Sequence, residues 1–265
     1  MIFFCYGMPK SASSFVFQMT ASAAQSLEKT SAVKVRRLSE LIEGCPVTDY
    51  AEVALAEGLR IPRPGALEAE KISNYLGRLY GNLLERMGDD SNEVTVIKTH
   101  LPCSPHIAEA ISNGTVLASA SFRHPAEMLL SRLDMAKRDG VTLKFEALKS
   151  IFLKHVDTFY SWANLPRVRK YYYDEIVLRP KAIVEDIYRH LGSTEDHSEL
   201  TEQYLAQKEN NIWQFNKGIL NRHLYELSDK EVMEIEHQFA DFMEYINEHM
   251  GKLNTISEDY RRGAS

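Results

Sequence analysis

Cysteine is scarce. The 265 residues hold three, Cys5, Cys45 and Cys103, an odd number with no Cys-x-x-Cys pair. That argues against a disulfide framework and a thiolate zinc site, and it fits a reducing compartment. No stretch approaches the run of about 20 apolar residues that a membrane span requires. Met1 leads directly into an apolar run over residues 2–6 with no basic segment before it, so no signal peptide is read and a soluble, cytoplasmic protein is expected. Gly/Ser-rich linkers, repeats and low-complexity tracts are missing too. The expectation is one domain over residues 1–265, with 252–265 as a frayed tail. Charge of one sign is also lacking: 31 Lys and Arg against 37 Asp and Glu leave a net charge of −6. Such a chain has no global field to attract nucleic acid or an anionic membrane, and any anion must be held locally.

What is present is alternation. Short apolar runs at residues 2–6, 94–98, 116–122 and 168–173 read as strands, each followed by a turn or a helix start. Helical spacing covers residues 14–27, 67–87, 105–111, 125–138, 144–162, 180–191 and 228–250. Ser104-Pro105 supplies an N-cap and first helical residue, and Ser228-Asp229-Lys230-Glu231 is a capping box. This pattern predicts an α/β fold, a central parallel sheet flanked by helices. The segment 31–64 carries no clear period and reads as an excursion covering a site.

In such a sheet, ligands bind beyond the carboxyl ends of the strands. "GMPKSASSF", Gly7 to Phe15, joins the first strand to the first helix. Ser11, Ala12, Ser13 and Ser14 are small enough for backbone N–H groups to close around a phosphate, and Lys10 adds a mobile positive charge. The plainer alternative is that Ser13 or Ser14 only caps the helix. Two further strand ends carry similar chemistry. "IKTHLP" brings Lys98 and His100, and "SFRHPAEMLLSRLD" brings Arg123 and, two helical turns later, Ser131.

These stretches carry a family resemblance. "PKSASSF" resembles the 5′-phosphosulfate loop PKSGTTW of the cytosolic sulfotransferases, and "KTHLP" matches a stretch that recurs in that family. "FRHPAEMLLSR" resembles the RNPxDxxxSxY element, "YYYDEIVLRPKAIVEDIYRHLG" resembles YEDmxxxPxxxixxixxFLG, and "FNKG" resembles the RKG loop. The order agrees over residues 1 to 220. The resemblance implies a P-loop NTPase-like α/β fold and the cofactor 3′-phosphoadenosine 5′-phosphosulfate (PAPS), which leaves as adenosine 3′,5′-bisphosphate (PAP). It implies that Ser11, Ala12, Ser13 and Ser14 cradle the 5′-phosphate and that Arg123, Ser131 and Lys217 hold the 3′-phosphate. Asn216 and Gly218 flank that lysine. Phe15 stacks on adenine and Tyr173 meets its edge. The resemblance also implies that Lys10 neutralises the leaving oxygen and that His100 takes the acceptor's proton; Lys98, two residues before His100 on an extended segment, is expected on the same side, where it would steady the transferring group.

Physical reasoning agrees with those roles. Sulfuryl transfer is similar to loose, in-line phosphoryl transfer, in which a protein supplies positioning and charge. A sulfonate carries a single charge, so no obligatory metal is expected, and no Asp/Glu/His constellation in the sequence asks for one. The acceptor is expected to be a small molecule presenting a hydroxyl, or less readily an amine. Its pocket falls to residues 31–64, 144–162 and 210–225, with Trp213 and Phe215 as lining candidates.

Departures and alternatives stand beside this. Ala12 occupies the family's glycine, which strains the loop if that position needs a positive φ. Asn216 replaces an arginine that would bind phosphate bidentately. The pattern KxxxTVxxxE is not recognisable after Gly218, so no dimer is inferred. Arg123 could pair with a nearby carboxylate, Ser131 could sit quietly in a helix, and Phe145, Phe152, Phe159 and Trp162 read as packing. Two other functions compete: a P-loop-type kinase of a small metabolite, and a noncatalytic PAP-binding relative. Against the kinase, the lysine precedes the small residues, and no strand ends in an aspartate placed for Mg²⁺.

Overall fold

A computed structural model of the chain describes residues 1–31, 94–193, 202 and 219–250. The expected helix over 67–87, most of the 31–64 segment, the "FNKG" stretch with Trp213, Phe215, Asn216, Lys217 and Gly218, and the tail 252–265 lie outside the described residues. The chain divides into two compact units, Met1–Phe122 with Asp157–Gly218, and Arg123–Val156 with Ile219–Ser265.

In the first unit, β1 (Ile2–Gly7), β2 (Thr95–Thr99), β3 (Val116–Phe122) and β4 (Arg169–Tyr172) form a sheet of order β2-β1-β3-β4. All three pairings are parallel, as the alternation of runs and helices predicts. All six residues of β1 are buried, because it is central and covered on both faces. Side chains alternate along it. Phe3 and Cys5 join Val16, Met19 and Ala23 of α1 (Ser13–Ser31) and Ile183, Val184 and Ile187 of a helix over Pro180–His190. Phe4 and Tyr6 face the other way, onto Trp162 at centroid distances of 5.6 and 5.7 Å, and Phe122 meets Phe159 at 5.1 Å. Each such buried large apolar side chain is worth about 1.5–3 kcal/mol. Phe159 and Trp162 are therefore packing residues, as expected.

Further helices among the described residues are α2 (Pro105–Asn113), α3 (Pro125–Arg138), α4 (Phe145–Ala163), α5 (Tyr173–Leu178), α6 (Pro180–His190), α7 (His223–Glu226) and α8 (Asp229–Gln238), with another over 240–250. Ser104 caps α2 by accepting from Ile107 N at 3.4 Å, and α2 stops at Gly114, whose φ of 85° suits glycine. The Ser228 box forms as predicted: Ser228 N donates to Glu231 Oε2 at 2.8 Å, and Ser228 Oγ accepts from Glu231 N at 3.3 Å.

Two boundaries differ from expectation. The helix over 228–250 is interrupted by a turn at Phe239 and resumes over 240–250. Phe239, Phe242 and Ile246 are all buried, so the break preserves their packing. Tyr173 begins α5 instead of ending β4. The Glu175 side chain accepts from Tyr172 N at 3.1 Å and starts the helix there. Among the described residues, no helix is long and apolar enough to cross a membrane.

Candidate functional site

The turn from β1 into α1 is built by backbone conformation. Lys10 and Ala12 both have positive φ, 72° and 63°. Left-handed residues alternating with right-handed ones turn successive N–H groups toward one side, an arrangement that receives anions. The first turn of α1 adds N–H groups that no intrahelical carbonyl can accept, together with the positive end of the helix dipole. For residues with a Cβ this backbone costs about 1–2 kcal/mol apiece. Ala12 is thus strained, at the position where the sequence comparison anticipated a cost for the missing glycine.

Neutral hydroxyls pin the turn to β3. Ser11 is fully buried; its Oγ lies 2.7 Å from Met8 O, 3.0 Å from Ser121 O and 2.8 Å from Ser121 Oγ. One hydroxyl proton serves one carbonyl, and the oxygen accepts from Ser121 in return. Met8 N also donates to Ser121 O at 2.9 Å. Gly7 is required by close approach: a Cβ there would run into the Ser13 side chain and Ser121 Oγ. Gly7 and Ser121 were not singled out in the sequence, because their role appears only when β1 and β3 are adjacent.

Two cationic or protic groups from the end of β2 reach the same turn. Lys98 is buried, and its Nζ donates to Ser14 Oγ at 3.1 Å. His100 lies just past the strand, with its Nδ1 on the carbonyl of Gly7. A carbonyl only accepts, so Nδ1 carries a proton, and Nε2 is the nitrogen that differs between the two protonation states of the ring. The segment after His100 is clamped by α4: Trp162 Nε1 donates to Leu101 O at 2.8 Å, and Cys103 N donates to Ser161 Oγ at 2.9 Å. Lys10 is half-buried and Ser13 nearly buried on the turn itself. Burial pushes the free thiols of Cys5 and Cys103 up to about 12, so neither is a nucleophile near neutral pH.

The two aromatic candidates are both buried. Phe15 is only 4% exposed and belongs to the core with Val16 and Ile187. Tyr173 is likewise buried, at the start of α5.

In the second unit, Arg123 is 2% exposed and its guanidinium donates to Glu127 Oε2 at 2.7 Å and to Ile219 O at 3.3 Å. The carboxylate pairing held open as an alternative for Arg123 is thus present. Glu127 Oε1 accepts from both the backbone N and the ring Nδ1 of His223, each at 2.8 Å. Burial pushes the Glu127 carboxyl up, but the two His223 bonds and the Arg123 charge outweigh it and hold the group below the usual range. Ser131 lies one helical turn further along α3 and is buried. His124 caps α3, with Nδ1 accepting from Ala126 N at 3.3 Å. Burial, then the neighbouring His223 and Arg123, bring His124 down to about 4 against the opposing pull of Glu127. Glu127 was legible as the residue four after Arg123; His223, 96 positions away, carried no local signal.

No family model and no curated protein matches the sequence. Solved structures match its fold. Retinol dehydratase in complex with retinol and PAP superposes with a TM-score of 0.53 at 14% identity, over 91% of this chain and 80% of that one. The same enzyme in complex with androsterone and inactive cofactor PAP gives 0.51 at 13% identity, over the same shares. Mouse sulfotransferase SULT7A1 complexed with PAP gives 0.50 at 14% identity, over 92% and 84%. At such identities the likeness establishes the fold alone, a parallel α/β sheet flanked by helices.

Proposed function

We propose that this chain is a PAPS-dependent sulfotransferase that moves a sulfuryl group onto a hydroxyl, or less readily an amine, of a small-molecule acceptor in the cytoplasm. The seating of His100 carries the reading. Its Nδ1–H is tied to Gly7 O on the anion-receiving turn, which fixes the ring at the end of β2 with Nε2 as the nitrogen assigned the base role. The turn fits the phosphosulfate end of PAPS through the left-handed backbone at Lys10 and Ala12 and the Lys98–Ser14 contact.

PAPS, when bound, supplies the activated sulfuryl group. The chain's part is positioning and charge. The backbone of Ser11–Ser14, with the Ser11 N–H given up by Met8 O, and the hydroxyls of Ser13 and Ser14 would hold the 5′-phosphate, and Lys10 and Lys98 would answer the negative charge that grows on the oxygens in flight. His100 Nε2 would take the proton released by the acceptor. Arg123 and Ser131 keep the 3′-phosphate role, for which the guanidinium must be shared with Glu127. The fold neighbours whose names include retinol and androsterone bind hydrophobic alcohols, and that supports an alcohol as acceptor.

The test is His100→Ala, followed by PAP release from PAPS with a panel of phenols, aliphatic alcohols and sugars. Turnover should fall by about 10²–10⁴ while PAP affinity stays within about threefold. Unchanged turnover would remove His100 from the mechanism, and PAP binding without turnover in the parent would favour the noncatalytic reading.

A further inference from the structure

The first N–H groups of a helix have no acceptor within it. In α3, Pro125 brings no N–H, so Ala126 N is the first that needs one, and the His124 ring supplies it, Nδ1 accepting at 3.3 Å. Ala126 is fully buried, which keeps water from taking that place. An imidazole nitrogen accepts only while it carries no proton. We propose that His124 is an acid-released cap: neutral, it closes the start of α3, and on protonation it lets Ala126 go and loosens the helix that carries Glu127 and Ser131.

The tautomer decides where the proton must go. With Nδ1 as acceptor, the neutral ring holds its hydrogen on Nε2. A second proton therefore adds at Nδ1, where it points an N–H at the N–H of Ala126. Protonation and capping exclude each other at this residue. The new cation also stands at the N-terminus of α3, the positive end of the helix dipole.

The surroundings oppose the same proton. Among the described residues, the charged and titratable groups around the ring are Arg123 and Glu127 from its own segment, His223 at the start of α7 and Glu236 on α8. Arg222, next to His223, is paired with Asp134 and Glu226. The His223 ring is stacked on His124, with 4.3 Å between centroids and 12° between planes, which sets two charged rings against each other. Glu127 is already held by Arg123 and His223. Glu236 Oε1 lies 3.6 Å from His124 Nε2, but its side chain is 43% exposed and solvent screens its charge. The folded chain takes the proton only at about 4, whereas an ordinary histidine takes it at 6.5. The cap is therefore whole above about pH 6.5 and is lost as the pH falls toward about 4.

The test compares the full chain with His124→Asn. Asparagine is a strong N-cap that does not titrate, and it stands at this place in the resembled element RNPxDxxxSxY. Urea unfolding of both proteins between about pH 7.5 and about pH 5 should show the parent's unfolding constant rising about 30-fold more than the variant's. Loss of the ring stack lowers the variant's stability at every pH, so the difference in slope is the readout. A variant whose stability follows the parent's across the range would overturn the proposal. Two readouts are independent of global stability. The His124 ring, assigned by its absence from the variant, should titrate at about 4 in proton NMR, and the exchange protection of the Ala126 amide should fall with the same midpoint in the parent and hold in the variant. A ring that titrates like an ordinary histidine, or an Ala126 amide whose protection is unchanged as the ring titrates, would overturn it.

Discussion

The turn after β1 and the turn after β3 both end a parallel strand and open a helix, yet they prepare for charge in opposite ways. At the first, the backbone does the work: left-handed Lys10 and Ala12 aim N–H groups, and neutral serines fix the turn. At the second, side chains do it, and their charges are already matched, Arg123 against Glu127 and Glu127 against His223. A site made of backbone dipoles is ready for an anion and tolerates change in its side chains. One made of paired ions gives up an existing partner when a ligand arrives, and depends on every member.

That contrast can be broken at either end. The largest effect is expected at the paired-ion turn. Glu127→Ala takes the one carboxylate away from a buried guanidinium, which keeps Ile219 O, and from the His223 donors, and should cost about 3–5 kcal/mol. By the usual scaling for a chain of this size, that lowers the melting temperature by roughly 6–20 °C. A loss below about 1 kcal/mol would mean that solvent compensates and the pairing is superficial. Ser11→Ala, which removes the pin between the first turn and β3, should cost less, about 1–2 kcal/mol in thermal melts. An unaltered melting curve would show that backbone bonds alone hold the turn.

Ala12→Gly should act in the opposite direction. It relieves the left-handed penalty but adds chain entropy to the unfolded state, for a net gain of about 1 kcal/mol and roughly 2–4 °C. If it destabilises, the positive φ at Ala12 carries no strain.

The sequence made some of this legible and hid the rest for physical reasons. The parallel sheet, the Ser104 and Ser228 caps and the three strand ends could all be read, because periodicity and capping act over a few residues. The strain at Ala12 could be anticipated from a missing glycine. Tyr173 was read as strand, since an aromatic run favours β structure and the N-cap at Tyr172 has no Ser, Thr, Asp or Asn to announce it. The burial of Phe15 in the core beside Val16 and Ile187 is not announced by a single aromatic residue after a loop. The contacts of Glu127 with His223 and of Gly7 with Ser121 depend on chain segments brought together only by the fold.

The central claim, that the turn after β1 belongs to a PAPS site, is tested most directly by a thermal-shift titration with adenosine 3′,5′-bisphosphate, run beside AMP and Mg-ATP. At 100 times its dissociation constant a ligand adds about 2.7 kcal/mol, or roughly 5–10 °C here. The account predicts that shift for the bisphosphate, with a smaller one for AMP. A shift with Mg-ATP alone, or none with the bisphosphate, would contradict it.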